Sequence, residues 1–143
     1  MQRVAGYSGK PLAVKLGLKG GVRFSSIREP ESYRALLGRL PDDLEILGMR
    51  STNLDILHVF TMNRRELARD FPKAKRRIHS GGSLWISWPK LSSPLKSDLT
   101  ENVVREVGLA NGLVDVKVVA IDENWSGLKF VYRVQDRSSK AKG

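Results

Sequence analysis

Residues 81–90 read Gly-Gly-Ser-Leu-Trp-Ile-Ser-Trp-Pro-Lys, and this stretch decides the fold. Two glycines, a short run of apolar and β-favouring residues and a proline are typical of a buried strand between a turn and a stop. Because the run has almost no polar alternation, we expect both of its faces to be covered, as in the middle of a parallel sheet. Helical patterns at 64–78 and 99–110 supply the crossover connections that parallel strands require.

The same kinds of pattern place further elements around this strand. Upstream, the sequence predicts short helices over 11–16 and 31–40 and strands over 22–27, 44–47 and 54–60. Pro72 lies inside the helical pattern 64–78, so we expect a kink or two abutting helical pieces there. Asp98 and Glu101 predict a capped start for the helix 99–110.

The last two strands differ in kind from the others. Residues 114–118 and 128–134 alternate between apolar and polar side chains, which predicts one exposed face for each. The six residues 122–127 fit the loop of an antiparallel hairpin. Trp125 lies in this loop, where it either caps a pocket or anchors a partner, or else folds back onto the sheet. The predicted fold is a single α/β, Rossmann-like, doubly wound parallel sheet that ends in an antiparallel β-hairpin.

Length and composition limit the classes of protein to which this chain can belong. The 143 residues fit one domain over 1–137, followed by a flexible basic tail over 138–143. The chain has no cysteine, which excludes disulfides and thiolate metal sites, and its two histidines make no recognisable metal site. We see no signal peptide and no apolar run of the length that a membrane span needs. These observations predict a cytoplasmic protein that does not interact with a membrane.

The net charge of +10 is concentrated in one part of the chain. Residues 61–90 carry eight basic and two acidic side chains, so six of the ten excess charges lie there. Five of these basic side chains fall on one side of the helix 64–77: Arg65, Arg69, Lys73, Arg76 and Arg77. This face is either a site for nucleic acid phosphates or a solvated helix surface, and no aromatic residues interleave with the charges to favour nucleic acid.

Open α/β sheets bind ligands beyond the carboxyl ends of their strands. Seven residues at predicted strand ends and in the hairpin form the candidate ligand cleft: Ser25, Ser26, Arg28, Ser87, Trp88, Lys90 and Trp125. Lys90 either meets an anionic group there or is a solvated lysine. His58 is interpreted as a structural histidine inside the sheet, and His79 is expected at the surface. No pair of a nucleophile and a base is visible, so we assign no catalytic residue.

Four short motifs stand out together: Tyr7-Ser8-Gly9-Lys10-Pro11-Leu12, Trp88-Pro89-Lys90, Asp98-Leu99-Thr100-Glu101 and Trp125-Ser126-Gly127-Leu128-Lys129. This combination resembles a family of small bacterial proteins that is described only as a domain of unknown function. The order of elements also resembles the class I S-adenosylmethionine-dependent methyltransferase fold, in which a strand entered through two glycines and left with a proline precedes a helix and the final hairpin. The first resemblance implies no activity, and the second implies a cofactor site at the strand ends.

Two departures from the methyltransferase pattern concern that cofactor. Those enzymes have a glycine-rich turn after the first strand, whereas residues 25–30 here contain no glycine. They also have an acidic residue after the second strand that holds the ribose, whereas residues 48–50 here are Gly-Met-Arg. We therefore expect no cofactor and a non-catalytic binding or interaction domain with a protein partner. The alternatives are a divergent methyltransferase or small-ligand enzyme, and a nucleic-acid binder that uses the helix 64–77.

Overall fold

A computed structural model describes residues 10–141 of the chain. The first three residues of the motif at 7–12 therefore lie outside the described residues. The elements in chain order are α1 (Leu12–Leu16), β1 (Arg23–Ile27), α2 (Tyr33–Leu37), β2 (Glu45–Ile46), β3 (Leu54–Phe60), α3 (Arg64–Arg77), β4 (Ile78–Pro89), α4 (Glu101–Ala110), β5 (Leu113–Ala120), β6 (Trp125–Tyr132) and α5 (Val134–Ala141).

The strands form one six-stranded sheet in the order β2-β1-β3-β4-β6-β5. β1 pairs in parallel with β2 and β3, and β3 pairs in parallel with β4. β6 is antiparallel to both of its neighbours, β4 and β5, so β5 points in the same direction as the first four strands. The predicted α/β class with a terminal antiparallel hairpin is confirmed, and β6 is the strand through which the hairpin joins the sheet.

Helices cover both faces of this sheet, and each face has its own core. Helices α1 and α2 lie on the face that buries Phe24, Phe60 and Trp85. Helices α3 and α4 lie on the opposite face, which buries Leu57 and Phe130. Since apolar side chains of β3 and β4 belong to both cores, these two central strands need apolar residues at nearly every position. The near-continuous apolar run that predicted a central strand therefore arises because helices cover both faces of that strand.

The expected turn at Gly81 and Gly82 is wrong. Helix α3 ends at Arg77 and β4 begins at the next residue, so the two glycines lie inside a strand of twelve residues. The pairing of β4 with β3 jumps here, from Ile78 opposite Leu54 to Ser83 opposite Ile56, so several β4 residues bulge out of the ladder. A Cβ at Gly82 would lie 2.8 Å from the carbonyl oxygen of Leu54, so this position requires glycine because two backbones approach closely.

Helix α3 is continuous over Arg64–Arg77, so of the two alternatives at Pro72, a kink or two abutting pieces, the second is wrong. Its start is fixed by Asn63, whose side chain accepts a hydrogen bond of 2.9 Å from the amide of Glu66. Pro72 has no N–H to donate to the carbonyl of Ala68, four residues earlier. Ala68 is exposed, so water can satisfy that carbonyl and the helix continues.

Helix α4 begins at Glu101, two residues after the predicted start at residue 99, and its cap is not Asp98. Thr100 is the N-cap residue, and its hydroxyl accepts a hydrogen bond of 3.2 Å from the amide of Val103. Asp98 instead accepts a hydrogen bond of 2.8 Å from the amide of Arg64, at the start of α3. Asp98 therefore connects the loop before α4 to α3, a contact between residues 34 positions apart.

Two further predictions concern the end of the chain and membrane-spanning helices. The tail predicted over 138–143 overlaps the end of α5 and then leaves the described residues, so the domain boundary at residue 137 stays a prediction. Within residues 10–141, no helix has the length and apolar character needed to cross a membrane.

Candidate functional site

The strand order reverses at β1, because β2 lies on one side of it and β3 on the other. In open α/β sheets the crevice beyond the carboxyl ends of the two strands at such a point is the usual ligand site. Here the crevice is bordered by the loop after β1, residues 28–30, and the loop after β3, residues 61–63. These two loops decide whether a cofactor can enter.

Arg28 spans this crevice. Its backbone has φ of 55°, in the left-handed region that favours glycine. Its Nε donates a hydrogen bond of 3.2 Å to the carbonyl of Phe60, the last residue of β3, and its guanidinium forms ion pairs with Glu66 and Asp70 of α3. Partial burial of Asp70 opposes ionisation, but hydrogen bonds from Arg69 and Arg28 hold the pKa of this carboxyl below its usual range.

The loop after β1 is also tied to itself. The hydroxyl of Ser26 donates a hydrogen bond to the carboxylate of Glu29, and Arg34 of α2 donates a second one of 2.9 Å to the same group. Partial burial opposes the ionisation of Glu29, but these two hydrogen bonds lower its pKa overall. Ser26 is therefore occupied by an acceptor of its own chain.

The loop after β3 is held by Glu66. Its carboxylate accepts hydrogen bonds of 2.9 Å from the amide of Met62 and 3.0 Å from the hydroxyl of Thr61. Together with the cap bond from Glu66 to Asn63, this arrangement is a reciprocal cap at the start of α3. Both borders of the crevice are thus fixed by hydrogen bonds within the protein.

His58 lies under the crevice, in the core of the sheet. Its Nδ1 is 2.7 Å from the hydroxyl of Tyr33, and its Nε2 is 2.7 Å from the hydroxyl of Ser87. The ring stacks on Phe60 and is fully buried, and this burial lowers the pKa of His58 to about 3. The interpretation of His58 as a structural histidine is confirmed, and Ser87 of the candidate cleft is its buried partner.

Two other candidate cleft residues, Ser25 and Trp88, point to the opposite face of the sheet from Ser87. Ser25 is buried, and its hydroxyl donates a hydrogen bond of 2.8 Å to the carbonyl of Leu47 after β2. Trp88 belongs to the core under α3 and α4. The sheet itself therefore separates these two side chains from His58 and Ser87.

Trp125 lies in β6 and not in the predicted hairpin loop. The carboxylate of Asp122 accepts hydrogen bonds from the amides of Asn124 and Trp125, which tightens the turn and starts the strand earlier. The Trp125 ring is 8% exposed and meets Phe60 edge to face, with ring centroids 5.1 Å apart. Of the two alternatives for Trp125, the structure shows the one in which it folds back onto the sheet.

Lys90 follows β4 directly and is half-buried. Its backbone amide donates a hydrogen bond of 2.8 Å to the carbonyl of Asn124 in the hairpin turn. Its side chain borders a groove of about 370 Å³ formed with the loop 91–97. Of the seven candidate cleft residues, Ser26 and Arg28 lie at the crevice, Ser87 and Trp125 lie below it in the core, and Lys90 lines this separate groove.

The basic residues of α3 do not act as one surface. Arg77 turns back onto the loop after β2, where it donates hydrogen bonds of 2.8 Å to the carbonyl of Ser51 and 3.0 Å to that of Gly48. Arg69 pairs with Asp70, with its Nε 3.1 Å from the carboxylate. Arg65, Lys73 and Arg76 are exposed. Of the five cations on which the nucleic-acid interpretation was based, these three have no ion pair with any described residue, and that interpretation stays a prediction.

Sequence reasoning missed a second site, at the amino ends of the parallel strands. A groove of about 940 Å³ lies there, and its lining includes a pair formed by Asp55 and His79. The Nε2 atom of His79 is 2.6 Å from the carboxylate of Asp55. These residues are 24 positions apart, so only the parallel pairing of β3 with β4 brings them together. No cluster of three potential metal ligands occurs among the described residues.

No family model and no curated protein matches the chain. Solved structures do match it. An S-adenosylmethionine-dependent methyltransferase from Aquifex aeolicus has a TM-score of 0.56 at 12% identity, covering 82% of this chain and 85% of that one. Fibrillarin from Aeropyrum pernix, with natively bound S-adenosyl-L-methionine, has a TM-score of 0.52 at 14% identity, covering 91% and 84%. Ribosomal protein L11 methylase from Lactobacillus delbrueckii subsp. bulgaricus has a TM-score of 0.52 at 11% identity, covering 85% and 75%.

These likenesses show the fold of this chain. It is the Rossmann-like fold of the class I S-adenosylmethionine-dependent methyltransferases, as the order of elements in the sequence predicted. At identities of 11–14% they carry no statement about activity.

Proposed function

We propose that this chain is a non-catalytic binding module built on the methyltransferase fold, whose strand-end crevice does not take up S-adenosylmethionine. The observation that carries the proposal is Arg28, which crosses from the end of β1 to the end of β3 and to α3. A ligand at this point would have to break the hydrogen bond to Phe60 and separate the guanidinium from two carboxylates. A cytoplasmic, bacterial protein with a protein partner is part of the same proposal.

The end of β2 supports this proposal. The resemblance to methyltransferases implies an acidic residue here that accepts hydrogen bonds from ribose hydroxyls, and residues 48–50 contain none. The side chain that reaches this loop is instead the guanidinium of Arg77, which donates to the carbonyl of Gly48. Because a guanidinium has no acceptor atom, it cannot take the place of the carboxylate.

The serine hydroxyls of the candidate cleft give further support. Ser25 donates to the carbonyl of Leu47, Ser26 to Glu29, and Ser87 is hydrogen-bonded to His58. A nucleophile needs an adjacent base and access to the reacting atom, and the base that the described residues place beside Ser87 is His58, which is fully buried. None of the three hydroxyls is therefore placed for chemistry on a ligand in the crevice.

Thermal unfolding with and without S-adenosylmethionine, or its demethylated product, tests this proposal. Ligand that binds only the folded state raises the melting temperature. We expect no shift for the wild type at about 1 mM of either compound. A saturable rise in the wild type would refute the proposal.

The second candidate function is a divergent methyltransferase or small-ligand enzyme that uses residues 25–28 and 87–90. It is favoured by the structural neighbours, several of which hold S-adenosylmethionine or its product, as in a magnesium protoporphyrin IX methyltransferase from Synechocystis. This candidate requires Arg28 to leave the crevice when ligand enters. It predicts the rise in melting temperature that the first proposal excludes.

A further inference from the structure

The groove of about 940 Å³ lies at the amino ends of the parallel strands, on the other side of the sheet's length from the crevice at their carboxyl ends. Its walls come from the first residues of β1, β3 and β4, from the last turn of α3, and from the end of β6 with the start of α5. Its volume falls within the range of about 300–1,000 Å³ that is typical of small-molecule sites.

Three guanidinium groups from three separate elements line this groove: Arg23 of β1, Arg76 of α3 and Arg137 of α5. The only carboxylate among the described lining residues is Asp55. With His79 neutral, these lining residues carry three positive charges and one negative charge, and Glu45, which lies outside the lining and pairs with Arg23 at 3.5 Å, offsets one of the positive charges. Like charges that share a concave site repel each other unless an anion lies between them.

Two of the three guanidinium groups have N–H groups to offer a ligand. Arg137 donates a hydrogen bond of 2.8 Å from its Nε to the carbonyl of Tyr132, which fixes the side chain, and its terminal nitrogens have no partner among the described side chains. Arg76 is exposed and, within residues 10–141, makes no hydrogen bond or ion pair. Arg23 is held by the carbonyls of Thr52 and Asn53 and by the ion pair with Glu45, so it offers the groove few donors and little net charge.

The pair of Asp55 and His79 forms a fixed wall. The Nδ1 of His79 accepts a hydrogen bond of 3.0 Å from the amide of Gly81, so in the neutral ring Nε2 carries the proton and donates it to Asp55. The second oxygen of Asp55 accepts a hydrogen bond of 2.8 Å from the amide of Arg23. Both ring nitrogens and both carboxylate oxygens already have a hydrogen-bond partner. This pair therefore holds the wall of the groove in place and leaves no free acceptor to act as a general base.

We propose that this groove binds a small molecule that carries a phosphate group, held between Arg76 and Arg137. The planar guanidinium matches the oxygens of a phosphate, and two such groups can hold it from two sides. A phosphate monoester carries nearly two negative charges at neutral pH, which match the two guanidinium groups of Arg76 and Arg137 better than the one charge of a carboxylate does. The groove extends beyond the two arginines to the rings of Tyr132 and His79, which leaves room for the rest of the molecule.

The test is a titration of the full chain with sodium phosphate, followed through its backbone amide NMR signals at pH 7.5 and constant ionic strength. We expect saturable shifts of the amides at 53–55 and 79–81. Arg76→Ala and Arg137→Ala should each weaken binding about fivefold or more, whereas Arg65→Ala should leave it unchanged. Arg65 is an exposed cation of the same helix outside the groove, so this control removes the same charge.

Two outcomes would overturn the proposal. One is the absence of saturable shifts in the wild type up to about 50 mM phosphate. The other is an equal loss of affinity in Arg65→Ala, which would assign the binding to net charge alone. The affinities for glycerol phosphate and adenosine monophosphate then show which part of the ligand the groove recognises. Tighter binding of the nucleotide supports a nucleotide site, and equal binding supports recognition of the phosphate group itself. The amide spectrum of each variant also reports whether it is folded.

Discussion

His58 couples the stability of this protein to pH. The histidine is fully buried between Tyr33 and Ser87, and its pKa is lowered from 6.5 to about 3 in the folded state. Between these two values the unfolded chain binds a proton that the folded chain does not. The stabilisation is therefore fully present above pH 6.5 and is lost as the pH falls from 6.5 towards 3.

The size of this effect follows from the shift. Each pH unit inside the window changes the free energy of unfolding by about 1.4 kcal/mol, so moving from pH 7.5 to pH 5 should cost about 2 kcal/mol. Glu29 and Asp70, whose pKa values are lowered by hydrogen bonds despite partial burial, add to the loss only below their ordinary values of 4.5 and 3.8. The interval from 7.5 to 5 thus isolates the histidine from both carboxyl groups.

Urea unfolding at several pH values in this interval is the assay. For a slope of about 2 kcal/mol per M, the midpoint should fall by about 1 M between pH 7.5 and pH 5. His58→Gln removes the titrating ring and should lose most of this pH dependence, although it is less stable at every pH. His79→Gln changes the other histidine and should retain it. Equal loss of stability in the wild type and in His58→Gln would refute the argument.

Two further predictions concern packing and the loop after β2. Gly108→Ala should destabilise the protein by about 1–2 kcal/mol in urea unfolding, because the new Cβ overlaps the buried ring of Phe130 and only part of that cost is offset by better helix propensity. Gly48→Ala, which has no atom within 4 Å of the new Cβ, should change stability by less than about 0.5 kcal/mol. Arg77→Ala should cost about 1–2 kcal/mol through the lost hydrogen bonds to the loop after β2, whereas Arg76→Ala should stay within about 0.5 kcal/mol.

The sequence predicted those parts of the fold that a short segment determines by itself. β3, observed at Leu54–Phe60, and α3, observed at Arg64–Arg77, match their patterns closely, because their apolar residues must face a core. The terminal hairpin was predicted from the alternation of its two strands. The insertion of β6 between β4 and β5 could not be read locally, since it depends on which strand the hairpin pairs with.

At Gly82 the local pattern correctly indicated that the backbone requires glycine, but it wrongly predicted a turn where the structure has a strand. Two adjacent glycines are common in turns, and the prediction rested on that preference. Here Gly82 is needed because a Cβ at this position would lie only 2.8 Å and 3.0 Å from the backbone carbonyl oxygens of Leu54 and Asp55 in β3. Such an approach between two strands leaves no signal in the sequence of either one.

The candidate site was predicted less well than the fold. The position rule for open sheets led to Arg28, which does lie at the crevice, but no sequence feature shows that its partners are Glu66 and Asp70, about 40 positions away. The pairing of Asp55 with His79 was missed for the same reason. Both sites depend on contacts between segments that only the sheet order brings together.

Calorimetric titration of the purified wild-type protein with S-adenosylmethionine tests most directly whether Arg28 and its partners keep the strand-end crevice from taking up the cofactor. We expect no saturable heat of binding up to about 1 mM ligand. One-site binding with a dissociation constant below about 100 µM would contradict it and would favour a divergent methyltransferase.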